Sequence, residues 1–386
     1  MNVALLLLRY RPHGGYERQA RLLAEALLRQ GHDVTIYCNR WPDTVPQGLR
    51  FRKVPVVPGA SWLQSLTYAW QSRRILAREG GGFDHVIGFD RGLGVTLYRA
   101  GNACHREWLA VRRRLEGWSG RLSIAINPLH PILNAIEGRL FAALERERRP
   151  IVVLSRRGAE QIRAHYPVSP ERFVVIPPAI DLERFAGCQG AEYRQRQRAA
   201  LGLADDERMV LHVGSGFRIK GVETVLRALA VLIRERSMGG PVRLVVAGRD
   251  RRLTRRLTRL ARTLDVAERV VFTGATAEVG ALYAAADLFV MLSRLDTFGV
   301  AVAEALSFGL PVVVGAGAGA ADLVTDAAVG TVVDSAIAPA ELAAVLQERL
   351  ASPGGERERA QRHAAAAVCE RQRVMERYLE LLSATR

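Results

Sequence analysis

The stretch LFVMLSRLDTFGVAVAEALSFGLPVVVGAGAG, residues 288–319, decides how the rest of the chain is read. Leu288, Phe289, Val290, Met291 and Leu292 form an apolar run of strand length, followed by a polar loop that carries Asp296. A helix is expected to open near Phe298 and Gly299, to stop at Gly309 and Pro311, and to give way to a second buried strand at Val312, Val313 and Val314. Strand, loop, helix, strand is the βαβ unit of a parallel sheet. In such sheets ligands lie beyond the carboxyl ends of the strands, where a helix N-terminus offers unpaired N–H groups to anions. A phosphate is therefore expected at Phe298, Gly299 and Val300. Glu304 stands about one turn inside that helix, and helical side chains lean back toward the N-terminus, so its carboxylate is expected near the same pocket. An acidic pair of Asp296 and Glu304 repels phosphate and suits hydroxyls. A sugar joined to a diphosphate carries both kinds of group.

The same rhythm recurs on either side. Residues 3–8 read as a first strand, and Ala20, Leu23, Ala24, Leu27 and Leu28 follow at helical spacing until Gly31. Further strands are expected at 34–37, 50–54, 85–89, 95–99, 151–154 and 174–176. VIPPAIDLERF, residues 175–185, reads as a linker because two prolines hold it extended. Beyond it strands are expected at 209–213, 242–247, 270–272 and 330–333, so an α/β pattern is present twice.

Three more features of this pattern carry chemistry. VGSGFRIKG, residues 213–221, sets Gly214 and Ser215 at a strand end and brings Arg218 and Lys220 to a helix mouth. Cations fixed there bind a departing diphosphate more strongly as its charge grows. RPHGGYERQ, residues 11–19, uses Gly14 and Gly15 to leave room over the next helix N-terminus. GFDRGLGVTLYRAGNACHREWL, residues 88–109, contains Asp90, Asn102 and His105; asparagine can hydrogen-bond a substrate but takes no proton.

Asp296, seven residues, Glu304 and the following G-x-P-V strand resemble the E-x7-E signature of retaining glycosyltransferases of family 4, with Asp where the first Glu is usual. The resemblance implies the GT-B fold: two facing Rossmann-like domains with an interdomain cleft. Residues 1–178 would bind acceptor, residues 179–365 nucleotide-sugar, and a last helix within 366–386 would pack back on the first domain. RPHGGYERQ is similar to the F-P-x-G-G-x-x-R loop of the lipopolysaccharide core glucosyltransferases, with Arg18 at the family Arg. In the same group an Asp follows a Y-x-A-x stretch; Asn102 stands there, so if the acidic group matters either the enzyme is weakened or His105 or Asp90 supplies the base. Lys220 matches the family Lys, and Ile219 separates it from Arg218. Implied donor contacts are Gly14, Gly15, Gly214, Ser215, Arg218, Lys220, Arg249, Phe298, Gly299, Val300 and Glu304; implied catalytic groups are Asp296, Asn102 and His105; Arg18 and Asp90 fall to the acceptor or its loop. UDP-glucose is the foremost donor, with UDP-N-acetylglucosamine and UDP-galactose open. Same-face attack assisted by the departing phosphate is implied, with retention and with neither metal nor cofactor.

The chain has 386 residues and a formal charge of +16, nearly all from arginine, which suits polyanions such as nucleic acid, an anionic bilayer or a phosphorylated glycolipid. The opening VALLLL is cut off by Arg9 and Arg11, too short for a membrane span and without the basic lead of a signal peptide. Cys38, Cys104, Cys188 and Cys369 lack C-x-x-C spacing, so reduced cytoplasmic thiols are expected. Residues 106–133 mix Trp108, Arg112, Arg113, Arg114 and Trp118 with aliphatic groups. That mixture fits an interfacial segment or an internally packed helical pair. The first would hold the enzyme against a glycolipid acceptor on the cytoplasmic face of the inner membrane, with nucleic acid not expected as a partner. Two other readings stay open: a soluble-acceptor transferase, and a catalytically weakened polyanion- or membrane-binding protein of the same fold.

Overall fold

The computed structural model describes residues 1–10, 15–41, 47–79, 81–188, 190–235 and 240–385. Two parallel sheets organise them. The first contains β1 (Asn2–Leu7), β2 (Asp33–Cys38), β3 (Leu49–Lys53), β4 (His85–Gly88), β5 (Leu97–Ala100), β6 (Ile151–Val153) and β7 (Phe173–Val175), in the spatial order β3-β2-β1-β4-β5-β6-β7. The second contains β8 (Arg208–Val213), β9 (Val242–Ala247), β10 (Val270–Gly274), β11 (Leu288–Met291), β12 (Val312–Gly315) and β13 (Gly330–Val333), in the order β10-β9-β8-β11-β12-β13. Strands such as VALLL, residues 3–7, and LFVM are apolar throughout because helices cover both faces. The edge strand LRFRK is mostly wet and carries Arg50, Arg52 and Lys53, which discourage pairing with another sheet. In each sheet the order reverses between two central neighbours, β1 and β4 in the first and β8 and β11 in the second. That reversal opens a crevice at the strand carboxyl ends.

The chain divides into one unit of residues 1–179 and 371–386 and another of residues 180–370. The helix Arg371–Ala384 buries Val374, Met375, Tyr378 and Leu382 in the core of the first unit, beside Leu23 and Leu27. Tyr378 accepts a hydrogen bond from Arg99 Nε at 3.0 Å, and Arg99 is only 2% exposed. The expected division at 365/366 moves to 370/371, because the helix Glu356–Ala367 is tied into the second unit. Its buried Arg362 donates to the Ala328 carbonyl at 2.8 Å and to the Gly309 carbonyl at 3.0 Å. Entry and exit of the second unit are clasped: Ile180 N–H donates to the Cys369 carbonyl at 2.8 Å, and Ile180 bridges Glu370 in parallel.

The segment that breaks the α/β rhythm folds as three helices, His105–Leu115, Trp118–Ile126 and Leu129–Arg146. The third sinks Leu140, Phe141 and Leu144 into the first unit's other core layer. Among the described residues no helix is long and apolar enough to cross a membrane.

Tyr378→Phe is expected to leave the Arg99 Nε–H buried without its acceptor, destabilising the first unit by about 1–3 kcal/mol. Urea unfolding followed by a probe in that unit measures it, and an unchanged midpoint would contradict the role given to this hydroxyl.

Candidate active site

The second unit gathers three loops at the carboxyl ends of β8, β11 and β12. The first, residues 214–221, is pressed onto the second by a close backbone approach. Gly221 has φ +70°, and a Cβ there would stand 2.9 Å from the Leu292 carbonyl oxygen, so only glycine fits. Lys220, next to it, is directed into the site and donates to Asp296 Oδ2 at 2.6 Å. Asp296 is fixed in turn: its Oδ1 accepts from Phe298 N–H at 3.2 Å, and its own N–H and carbonyl bind Gly317 and Gly319 on the third loop. The helix Val300–Ser307 opens immediately beyond, behind Gly299 with φ +94°, and no side chain caps it. Its first turn therefore presents backbone N–H groups and the positive end of the helix dipole beside an ammonium held on a fixed carboxylate.

Of the predicted donor residues, Gly214, Ser215, Lys220, Phe298, Gly299 and Val300 are brought to this strand end, together with Asp296. Arg218 is exposed, and its carbonyl accepts from Arg294 Nη1 at 3.3 Å. Arg294 also donates its N–H to Ile219, stitching the first two loops together; nothing in the sequence singled it out. Arg249 is exposed, and its N–H donates to Ser215 Oγ at 3.1 Å.

Glu304 corrects the expectation of a free acidic pair. Its carboxylate is buried, pairs with Arg184 and accepts from the Tyr283 hydroxyl at 2.9 Å. Arg184 lies over the Phe185 ring, 4.3 Å from its centroid. Burial, then the Glu304 charge, push the Tyr283 hydroxyl well above its ordinary pKa, so it remains a donor. Beneath the first loop, His212 is buried and donates Nδ1–H to the Val290 carbonyl at 3.0 Å. Burial foremost, then Lys220, lower its pKa to about 3.

In the first unit, Gly14 lies outside the described residues, Gly15 opens the helix Gly15–Arg29, and Arg18 is half-buried upon it. Asp90 follows β4 and accepts from Leu8 N–H at 2.8 Å; burial, with Glu17 contributing, raises its pKa. Asn102 is exposed. His105 is not an open base. It is buried, stacks on Trp108 with ring centroids 5.5 Å apart, and meets His130 Nδ1 at 3.1 Å. Burial, then the charges of Arg91 and His130, lower its pKa to about 3. The organiser of this loop is Glu137, which sequence pattern does not reveal. Buried on the helix Leu129–Arg146, it accepts from His105 N–H at 3.0 Å, Tyr166 O–H at 3.0 Å and Arg91 Nε at 2.6 Å.

The basic, aromatic segment also sorts itself. Trp108 and Arg112 do not face outward: Arg112 lies over the Trp108 ring and makes two bonds to Glu116, at 2.8 and 2.6 Å. Arg113, Arg114 and Trp118 are exposed. On the helix Trp118–Ile126, Trp118 (80% exposed), Leu122 (52%) and Ile126 (73%) form one apolar stripe at i, i+4, i+8.

Residues 193–367 match the profile of the glycosyl transferases group 1, and residues 13–184 that of Glycosyltransferase Family 4. The chain is similar to the lipopolysaccharide glucosyltransferase WaaG of Escherichia coli (strain K12), at 29% identity over 91% of this chain and 90% of that protein. The crystal structure of WaaG, a glycosyltransferase involved in lipopolysaccharide biosynthesis, superposes with a TM-score of 0.74 at 26% identity, covering 99% of both chains. Anabaena HepE in complex with UDP-glucose shares the fold, with a TM-score of 0.68 at 16% identity over the full length of both chains.

Acid should weaken the second unit through His212. Its folded pKa of about 3 lies below the unfolded value of roughly 6.5. The unfolded chain therefore takes up a proton that the folded chain refuses, and stability present above about pH 6.5 is lost as pH falls toward 3. His212→Asn, whose amide can donate to Val290 in place of Nδ1, is expected to flatten the dependence of melting temperature on pH. Equal slopes in parent and variant would rule this out.

Proposed function

Because the chain belongs to the family 4, group 1 glycosyltransferases, we propose that it moves a hexose, glucose from UDP-glucose foremost, onto a lipopolysaccharide core or related glycolipid with retention at the anomeric carbon. The observation that carries this reading is the Lys220–Asp296 contact at the mouth of an uncapped helix. An ammonium has three donors, and Asp296 engages one of them. A second meets the Met291 sulfur at 3.4 Å, and the third, with the N–H groups at Gly299 and Val300 and the exposed Arg218, suits a diphosphate whose charge grows as its bond to the sugar breaks. Asp296 thereby positions Lys220 before that charge develops, the arrangement in which electrostatic stabilisation is most effective. The acceptor hydroxyl attacks from the face the diphosphate leaves, and a departing phosphate oxygen receives its proton. The similarity to a lipopolysaccharide glucosyltransferase along nearly the whole chain supports the acceptor class.

The stripe of Trp118, Leu122 and Ile126, with Arg113 and Arg114 nearby in sequence, fits a segment that lies on an anionic bilayer: indole and aliphatic groups enter the headgroup layer while guanidinium groups meet phosphate. This would place the enzyme on the cytoplasmic face of the inner membrane beside a lipid-linked acceptor. It also favours a glycolipid over a soluble acceptor.

Lys220→Ala is expected to lower kcat/KM for UDP-glucose by about 10²–10³-fold, with the melting temperature retained. Unaltered turnover, or no release of UDP by the parent with core acceptor present, would defeat the transferase reading. Trp118→Ser with Ile126→Ser should at least halve the fraction that floats with anionic vesicles. Equal recovery of parent and variant would remove the membrane role.

A further inference from the structure

The second unit contains a cavity of about 460 Å³ at the amino ends of β8, β11 and β12, lined by Arg208, Asp287 and Pro311 where those strands begin. The loops that hold Lys220 and Asp296 leave the opposite ends of the same strands. Charge in the cavity is lopsided. Arg194, Arg208, Arg359 and Arg362 supply four guanidinium groups to its lining, and Asp287 the single carboxylate. That carboxylate is shared already: it pairs with Arg194 at 2.7 Å, Arg198 at 3.2 Å and Arg208 at 3.6 Å. Arg362 is anchored on two carbonyls, and Arg359 makes no ion pair among the described residues.

The crowding has measurable consequences for these groups. Burial foremost, and neighbouring cations that include Arg359 after it, hold Arg194, Arg362 and His363 below their ordinary basicity. Cations gathered in a partly desolvated recess raise one another's free energy, and an anion placed among them relieves it. Arg359 and Arg362 are three apart on the helix Glu356–Ala367, so they share a face, and guanidinium forks match phosphoryl oxygens. Phe308, Leu310 and Pro353 give the recess apolar walls, which a bare inorganic ion would leave unmatched. Its volume falls within the roughly 300–1,000 Å³ common for small-molecule sites.

We propose that this cavity is a second ligand site, separate from the donor site, that takes a small organic phosphate: the phosphoryl group meets Arg359 and Arg362, and the organic body rests on Phe308 and Leu310. The probe is D-glucose 6-phosphate, with D-glucose as the uncharged control, titrated calorimetrically into the full chain under saturating UDP so that the donor site is occupied. Saturable binding is expected for the phosphate and not for glucose, with a shift of the His363 imidazole resonances. Arg359→Ala should weaken binding about tenfold, and Arg359→Glu further, at an unchanged melting temperature because this side chain is exposed. Glucose 6-phosphate that binds no better than glucose, or equally well to Arg359→Ala, overturns the proposal.

Discussion

A parallel sheet covered on both faces turns its strand ends, where the connecting loops and helix termini gather, into the place where polar backbone can be offered to a ligand, and this constraint governs the chain. At the carboxyl ends of β8, β11 and β12 it assembles a lysine from the first loop with an aspartate and a helix N-terminus from the second, braced by the third. None of the three would hold a diphosphate well alone. Ordered by Gly221 against Leu292 and by Asp296 against Gly317 and Gly319, they become one rigid set. Rigidity matters here because donors already oriented toward developing charge need no reorganisation at the moment of bond cleavage.

Much of this was legible in the sequence because the signals are local. Apolar runs of strand length, glycines at strand ends and a proline after the helix are read over a dozen residues, and they located the βαβ unit and Lys220. What was illegible depends on contacts between distant positions. Glu304 stands one turn into its helix as expected, yet Arg184, 120 residues away, and Tyr283 claim its carboxylate. His105 in sequence looks like an available base; Trp108 and His130 enclose it only once two helices pack. For Trp108 and Arg112 the basic aromatic run left an interfacial face and internal packing both open, and their pairing with each other and of Arg112 with Glu116 is a property of the folded helix.

Glu137 shows the same limit from the other side. A buried acid amid LHPILNAIEGRLFAALER has no pattern to announce it. Only in three dimensions does it close the start of the helix His105–Leu115, in place of the capping side chain that Cys104 does not supply, and so fix the loop bearing Asn102. Burying a carboxylate is unfavourable unless its lone pairs are filled, and here Arg91, Tyr166 and the His105 amide fill them.

The clasp between Ile180 and Cys369 makes the second unit an insertion: the chain leaves the first unit, completes a self-contained sheet, and returns beside its point of departure. Adjacent ends are the geometry that evolution and protein engineering both exploit for cut-and-paste exchange. The second unit can thus be read as a cassette, separable in principle from the unit that returns to finish itself with the helix Arg371–Ala384.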